Sequence, residues 1–186
     1  MTYVLTWELD SLLPHPSTPE FQAVLQGFRE RLTEVAVKSD ALPAVEPAER
    51  HVKEWVTFLR KFEEVESLAT DLNAFIGCHA AGDAANKLFQ QLEGTLSALN
   101  PLRERIYTNL EYALKEASRE SFDAFRKADP QLARIDFFLS SRRKFSEMRL
   151  PREQELLAAV SACQGLIRNA HSASLLSVDR ALEGKQ

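Results

Sequence analysis

The chain has 186 residues, of which 45% are hydrophobic and 27% charged, and its formal net charge is -4. This composition is too apolar and too weakly charged for intrinsic disorder, and a domain of this length needs no disulfides to fold. A net negative charge argues against a nucleic-acid partner, because phosphate neutralisation requires clustered Lys and Arg. The first ten residues do not resemble a secretory signal, and no apolar run approaches membrane-spanning length. We therefore expect a soluble, cytoplasmic protein with no membrane partner.

The distribution of proline indicates an all-α protein. Five of the eight prolines precede residue 48 (Pro14, Pro16, Pro19, Pro43, Pro47), and three follow it (Pro101, Pro130, Pro151). Because proline interrupts helices, the later chain is expected to form long helical segments. We predict a bundle of long antiparallel helices followed by shorter helices. We predict that the chain has three regions: an extended N-terminal strap over residues 1–17, a long-helix bundle over 18–118 and a shorter-helix region over 119–186.

The strap carries four large apolar side chains that something must cover: Trp7, Leu9, Leu12 and Leu13. Either they close the core of this chain, or they contact a part of a larger protein. The first helix is predicted to run from about Thr18 to Val37, with Ser17 and Glu20 forming a capping box. Its apolar residues recur at steps of three and four, which is typical of one buried helix face: Phe21, Val24, Leu25, Phe28, Leu32 and Val35.

The second helix is predicted to begin near Pro47 and to end at the glycines Gly77 and Gly82, with Asp83 capping the next helix. Its predicted buried face comprises Val52, Trp55, Val56, Leu59, Phe62, Val65, Leu68, Leu72, Phe75 and Ile76. Three glutamates fall largely off this face, and we expect them to be solvated: Glu63, Glu64 and Glu66.

The third segment spans Ala84 to Ala117 and is interrupted at Asn100-Pro101, which predicts either a kink or a restart capped by Asn100. A short helix is expected around Ser121 to Lys127. Asp129 is predicted to cap a further helix that opens at Pro130, and Pro151 repeats that arrangement.

Residues suited to catalysis or metal binding are not arranged in known patterns. None of the four histidines (His15, His51, His79, His171) belongs to a His-Glu-x-x-His or Glu-x-x-His motif. Cys78 and Cys163 lack metal-type spacing, and we expect both to be reduced and half-buried. We therefore predict no catalytic residue, metal ligand or cofactor in this chain.

A basic run near residue 142 has two interpretations. Arg142, Arg143 and Lys144 could bind a phosphate or an acidic partner. More simply, cations at a helix C-terminus complement the helix dipole.

Three stretches of the sequence resemble oligoendopeptidase F family zinc peptidases. The first, "WELDSLLPHPSTPEFQAVL", resembles the Trp-x-Leu-x-x-Leu lead-in and Ser-Pro-Glu-Phe-like helix start of that family, through Trp7, Leu9, Leu12, Ser17, Pro19, Glu20 and Phe21. The second, "GCHAAGDAANKLFQQLEGTLSAL", is similar to its turn, Asp and long helix, through Asp83, Leu88 and Leu92. The third begins at "ADPQLARIDFF" and matches through Asp129, Pro130, Leu132, Arg142, Arg143, Leu150 and Glu155.

This resemblance implies the N-terminal, non-catalytic lobe of a zinc-dependent oligopeptidase. In that family the zinc ligands lie in a C-terminal catalytic domain, and the sequence ends before any His-Glu-x-x-His motif. The implied partners are this missing catalytic domain and, in the full-length enzyme, short peptides. The strap would lie across the helical body or reach the catalytic domain, and the isolated chain would be inactive and could self-associate through an uncovered apolar face.

Two other functions remain open. The chain could be a free-standing helical protein-interaction module without enzymatic activity. It could also bind a small ligand in a pocket between helices, which requires convergent polar groups.

Overall fold

The computed structural model describes residues 9–148. A short 3-10 turn, Leu9–Ser11, precedes seven helices: α1 Pro19–Ser39, α2 Glu49–Gly82, α3 Lys87–Ser97, α4 Asn100–Glu116, α5 Arg119–Lys127, α6 Pro130–Arg134 and α7 Asp136–Ser146. Residues 9–148 contain no β-strand. The all-α prediction is confirmed, and the two longest helices come first.

The helices pack around one apolar core. α1 contacts α2 and α4, α2 also contacts α3, and α7 contacts α4 and α6. Trp55 on α2 is fully buried, and its ring meets Phe58 and Phe125 edge to face at centroid distances of 6.0 and 5.8 Å. Its indole N–H donates a hydrogen bond to the carbonyl of Pro43 at 3.0 Å, which fixes the loop between α1 and α2 against the core.

α1 and α2 run in opposite directions. Near the start of α1, Phe21 stacks on Phe75 near the end of α2, with a centroid distance of 5.9 Å. Further along α1, Glu34 accepts a hydrogen bond at 2.8 Å from Lys61, which lies earlier on α2. The antiparallel arrangement of the remaining pairs stays a prediction.

Three predicted helix caps are wrong by one to three positions. The side chain of Thr18, not Ser17, accepts the N–H of Phe21, because Ser17 is engaged by His15 in the preceding turn. The side chain of Asn86, not Asp83, accepts the N–H of Leu88. α4 does restart at Asn100, but Asn100 is its first helical residue and makes no side-chain cap.

α2 passes through Gly77 and ends only at Gly82, so Gly77 is not a breaker. A glycine inside a helix costs only about 1 kcal/mol relative to alanine, and the packing of the side chains around Gly77 outweighs that cost. Phe75 and Ile76 are buried immediately before it, and the ring of His79 after it contacts Phe75 and Phe89.

All seven described helices belong to one compact unit, which ends at Ser146. The predicted divisions after residues 17 and 118 stay predictions. Within residues 9–148 no helix combines the length and the apolar character needed to cross a bilayer.

Candidate functional site

A concave surface lies between α2 and the α6–α7 segment, and we name it the α2–α6–α7 groove. Its volume is about 500 Å³, which falls within the range of ligand pockets. The groove is lined by Val56, Leu59, Arg60, Phe62, Glu63, Glu66, Ser67 and Thr70 of α2, by Tyr107 of α4, and by Gln131, Leu132, Arg134, Ile135 and Phe138.

The floor of the groove is apolar and its rim is polar. Leu59, Phe62 and Leu132 are buried in the core, while the floor residues Val56, Ile135 and Phe138 are partly exposed to the groove. The rim residues Arg60, Glu63, Ser67, Thr70, Gln131 and Arg134 are exposed. A ligand in the groove would therefore meet apolar surface below and hydrogen-bonding groups at the edges.

Polar contacts join the elements that line the groove. The guanidinium of Arg60 donates a hydrogen bond to the side-chain oxygen of Gln131 at 2.9 Å, which joins α2 to α6. Further along α2, Arg103 of α4 donates two hydrogen bonds to the Glu66 carboxylate at 2.8 and 2.7 Å. The Tyr107 hydroxyl donates a third at 2.8 Å. We name these three residues the Glu66 network.

The network sets the protonation states of two of its members. Burial raises the pKa of Glu66, but the hydrogen bonds from Arg103 and Tyr107 outweigh burial, so the pKa of this carboxyl lies below its usual 4.5. Burial and the hydrogen bond to Glu66 raise the pKa of Tyr107 to about 12. At neutral pH, Glu66 is therefore ionised and Tyr107 is a neutral donor.

Because its carboxylate already accepts three hydrogen bonds, Glu66 joins α2 to α4 and is not arranged as a general base. The prediction that Glu66 is solvated is wrong. Its partners lie 37 and 41 residues along the chain. The only signal for this pairing was that Arg103 and Tyr107 are four residues apart on one helix face.

The basic run lies partly inside the fold. The Arg142 guanidinium lies over the Tyr107 ring at 4.4 Å and forms an ion pair with the buried Glu111 at 3.3 Å. Arg143 donates a hydrogen bond at 2.7 Å to the carbonyl of Ala117, just after α4. Lys144 is exposed. The two arginines thus hold α7 against α4, and binding of a phosphate or an acidic partner to this run stays a prediction.

The lead-in residues have different environments. Leu9 and Leu13 are partly buried and pack against the core, whereas the side chain of Leu12 is 74% exposed. Trp7 lies outside the described residues. The structure therefore supports core closure for Leu9 and Leu13, and a contact between Leu12 and another part of a larger protein stays a prediction.

Residues 9–148 contain no group of three or more His, Cys, Asp or Glu side chains that could hold a metal ion. His15 and His79 approach edge to face with a centroid distance of 5.4 Å, beside Phe75 and Phe89. Cys78 is exposed, so its predicted half-burial is wrong. His171 and Cys163 lie outside the described residues.

Exposed apolar side chains lie near both ends of α7 and in the turn after it. Phe137 is 85% exposed, Phe145 51% and Met148 74%. On a helix, positions 137 and 145 differ by about 80° in direction, so both phenylalanines lie on the outer half of α7.

The sequence matches no protein-family model, and neither curated proteins nor solved structures give a significant match.

Proposed function

We propose that this chain is the N-terminal, non-catalytic lobe of a zinc-dependent oligopeptidase that hydrolyses short peptides. In this proposal the α2–α6–α7 groove forms part of the wall of the substrate channel. The observation that carries it is a concave, apolar-floored groove on a helical body whose sequence resembles the family across nearly its whole length.

Several of the residues that carry the family resemblance lie on α6, next to the groove. Asp129 caps α6 by accepting the N–H of Gln131 at 2.7 Å, and Pro130 is the first residue of that helix. Leu132 then lies buried beneath the groove. The Asp-Pro-x-Leu motif therefore positions one wall of the groove, as expected of residues that shape a channel.

In the proposed enzyme this chain acts sterically, and the catalytic domain carries out the chemistry. Zinc in the catalytic domain would supply an activated water, while the residues of this chain would supply shape. A channel enclosed by helices admits an unfolded peptide and excludes a folded protein, and no side chain of this lobe needs to touch the scissile bond. The Glu66 network and the Arg142 contacts would keep α2, α4 and α7 in fixed relative positions.

A peptidase assay tests the non-catalytic role. The purified 186-residue chain with added zinc should hydrolyse an internally quenched fluorescent peptide no faster than buffer with zinc. Turnover by the chain that a metal chelator abolishes would contradict the proposal.

A free-standing helical interaction module is the second candidate, favoured by the exposed Phe137 and Phe145 of α7. Under that function these residues would bind a separate macromolecule. Under the first function they would be covered by another part of the same enzyme.

A further inference from the structure

We propose that the α2–α6–α7 groove binds an amphipathic monoanion, namely a carboxylate with an unbranched alkyl chain of about ten carbons. The carboxylate lies between Arg60 and Arg134, and the alkyl chain lies on the apolar floor. This site goes beyond the proposed function and does not depend on it, because residues of this chain alone form it.

Two arginines approach the same part of the groove from α2 and α6. The Arg60 guanidinium donates a hydrogen bond at 2.9 Å to the side-chain oxygen of Gln131. Arg134 follows Gln131 by three positions on α6, so the two side chains are neighbours on one helix face. All three residues line the groove. Arg60 and Arg134 are therefore within side-chain reach of a single anion.

These side chains have hydrogen-bond donors to spare. Arg134 is exposed and forms no hydrogen bond or ion pair with any residue in 9–148. Arg60 uses one nitrogen on Gln131, and a guanidinium carries further N–H donors in a planar fork that matches a carboxylate. The amide nitrogen of Gln131 is also a donor. Together they supply the convergent polar groups that a ligand site between helices requires.

The charges along the groove favour a ligand with one negative charge. Glu66 is already paired with Arg103 at 2.7 Å, whereas Glu63 is exposed and unpaired within the described chain. Arg60 and Arg134 therefore face one uncompensated carboxylate, which leaves a local excess of positive charge. The whole chain has a net charge of -4, so it does not attract anions in general. Glu63 would repel a polyanion such as a nucleotide.

The floor selects the apolar part of the ligand. Its partly exposed residues are Val56, Ile135 and Phe138. Beyond Arg60 the α2 lining continues to Thr70, about 15 Å along the helix axis. An extended alkyl chain with bonds of about 1.5 Å covers most of that distance with about ten carbons. A carboxylate held by the two arginines thus leaves its chain over apolar surface, and transfer of that chain out of water favours binding.

The test uses the complete 186-residue chain and displacement of the fluorescent carboxylate 11-(dansylamino)undecanoate at neutral pH. Decanoate should displace this probe saturably. Hexanoate should need a concentration at least about tenfold higher, because it buries four fewer methylene groups. Decan-1-ol and decylamine keep the alkyl chain but lack the negative charge, and both should bind at least about threefold more weakly than decanoate.

Two pairs of surface variants locate the carboxylate without disturbing the core. Arg134→Gln should weaken decanoate binding at least about threefold, and Arg119→Gln, at an exposed α5 position outside the lining, less than about 1.5-fold. Glu63→Gln should strengthen decanoate binding about two- to threefold, because it removes the uncompensated carboxylate. Glu64→Gln, at an exposed α2 position outside the lining, should leave it unchanged.

A third pair locates the alkyl chain. Phe138→Ala should weaken decanoate binding at least about threefold, since Phe138 forms part of the floor. Phe137→Ala should change it less than about 1.5-fold, because Phe137 is exposed on α7 outside the lining. Circular dichroism checks that each variant keeps its helix content, and if Phe138→Ala unfolds, the surface pairs decide.

Three results would overturn the proposal: no saturable displacement by decanoate, equal displacement by decanoate and decan-1-ol, or equal effects of Arg134→Gln and Arg119→Gln. Each of them leaves the lobe assignment untouched, since the peptidase assay and the reading frame beyond Gln186 test that assignment separately.

Discussion

At the scale of single residues, the Glu66 network links two helices, α2 and α4, through residues 37 and 41 positions apart. Glu66 is 21% exposed, and both of its oxygens accept hydrogen bonds from α4. A hydrogen bond to a charged group stabilises a fold more than a hydrogen bond between neutral groups. Removal of this carboxylate should therefore lower the free energy of unfolding. It would also leave the partly buried guanidinium of Arg103 without its counter-charge.

Replacing Glu66 with glutamine should lower the free energy of unfolding by about 2 kcal/mol. Glu64→Gln is the matched control, since Glu64 is exposed on the same helix, and it should change stability by less than about 0.5 kcal/mol. Urea unfolding followed by circular dichroism measures both. Equal effects of the two substitutions would show that the network contributes nothing specific.

The free energy of unfolding at acid pH should distinguish the contribution of Glu66 from that of an exposed carboxylate. The folded protein lowers the pKa of Glu66 from 4.5, so this group stabilises the fold above about pH 4.5 and loses that contribution as the pH falls. Glu34 behaves likewise: hydrogen bonds from Lys38 and Lys61 lower its pKa to about 2, but its carboxylate is solvent-exposed. Salt screens exposed pairs far more than partly buried ones.

We therefore expect both Glu66→Gln and Glu34→Gln to flatten the pH dependence of unfolding between pH 5 and 3 at low salt. In about 1 M NaCl only Glu66→Gln should still differ from the wild type, because the Debye length is then about 3 Å. Coincidence of the Glu66→Gln and wild-type profiles at both salt concentrations would refute the predicted role of this pair.

At the scale of elements, apolar periodicity predicted the helices and most of their buried faces. Five of the six residues predicted for the α1 face are buried, and Val24 is partly buried against the core. Phe58 and Ala69 of α2 are also buried, although they fall outside the predicted face. α2 is enclosed on more than one side, and periodicity alone cannot show how many neighbours a helix has.

Helix caps were less predictable because adjacent polar residues compete for the same backbone groups. Thr18 and Ser17 can both accept a helix N–H, and the turn at His15 decides between them. Thr18→Ala should therefore lower the free energy of unfolding by about 1 kcal/mol. Ser17→Ala should lower it by less than about 0.5 kcal/mol. Thermal unfolding compares the two variants, and a larger loss for Ser17→Ala would favour the sequence-based assignment.

The exposed apolar residues of α7 predict self-association of the isolated chain. Phe137 and Phe145 remain largely in water, and contact between such surfaces of two chains would remove apolar area from solvent. The sedimentation coefficient should rise with protein concentration, and the double variant Phe137→Lys and Phe145→Lys should suppress that rise. Val37→Lys, at an exposed apolar position of α1, is the control. A concentration-independent wild type would contradict this prediction.

At the scale of the whole molecule, the fold class followed from the sequence but the groove did not. The groove joins Leu59 and Phe62 of α2 to residues about 70 positions later, such as Leu132. No local sequence pattern specifies which distant segments of the chain come into contact. Likewise, Arg142 was recognised as part of a basic run, but its position over Tyr107 depends on how α7 packs on α4.

The central claim is that these helices enclose substrate for a catalytic domain encoded further along the same chain. Sequencing the transcript beyond the codon for Gln186 tests it most directly. The account predicts an open reading frame that continues into a His-Glu-x-x-His motif followed by a further glutamate ligand. A stop codon directly after Gln186, or a continuation without that motif, would contradict it.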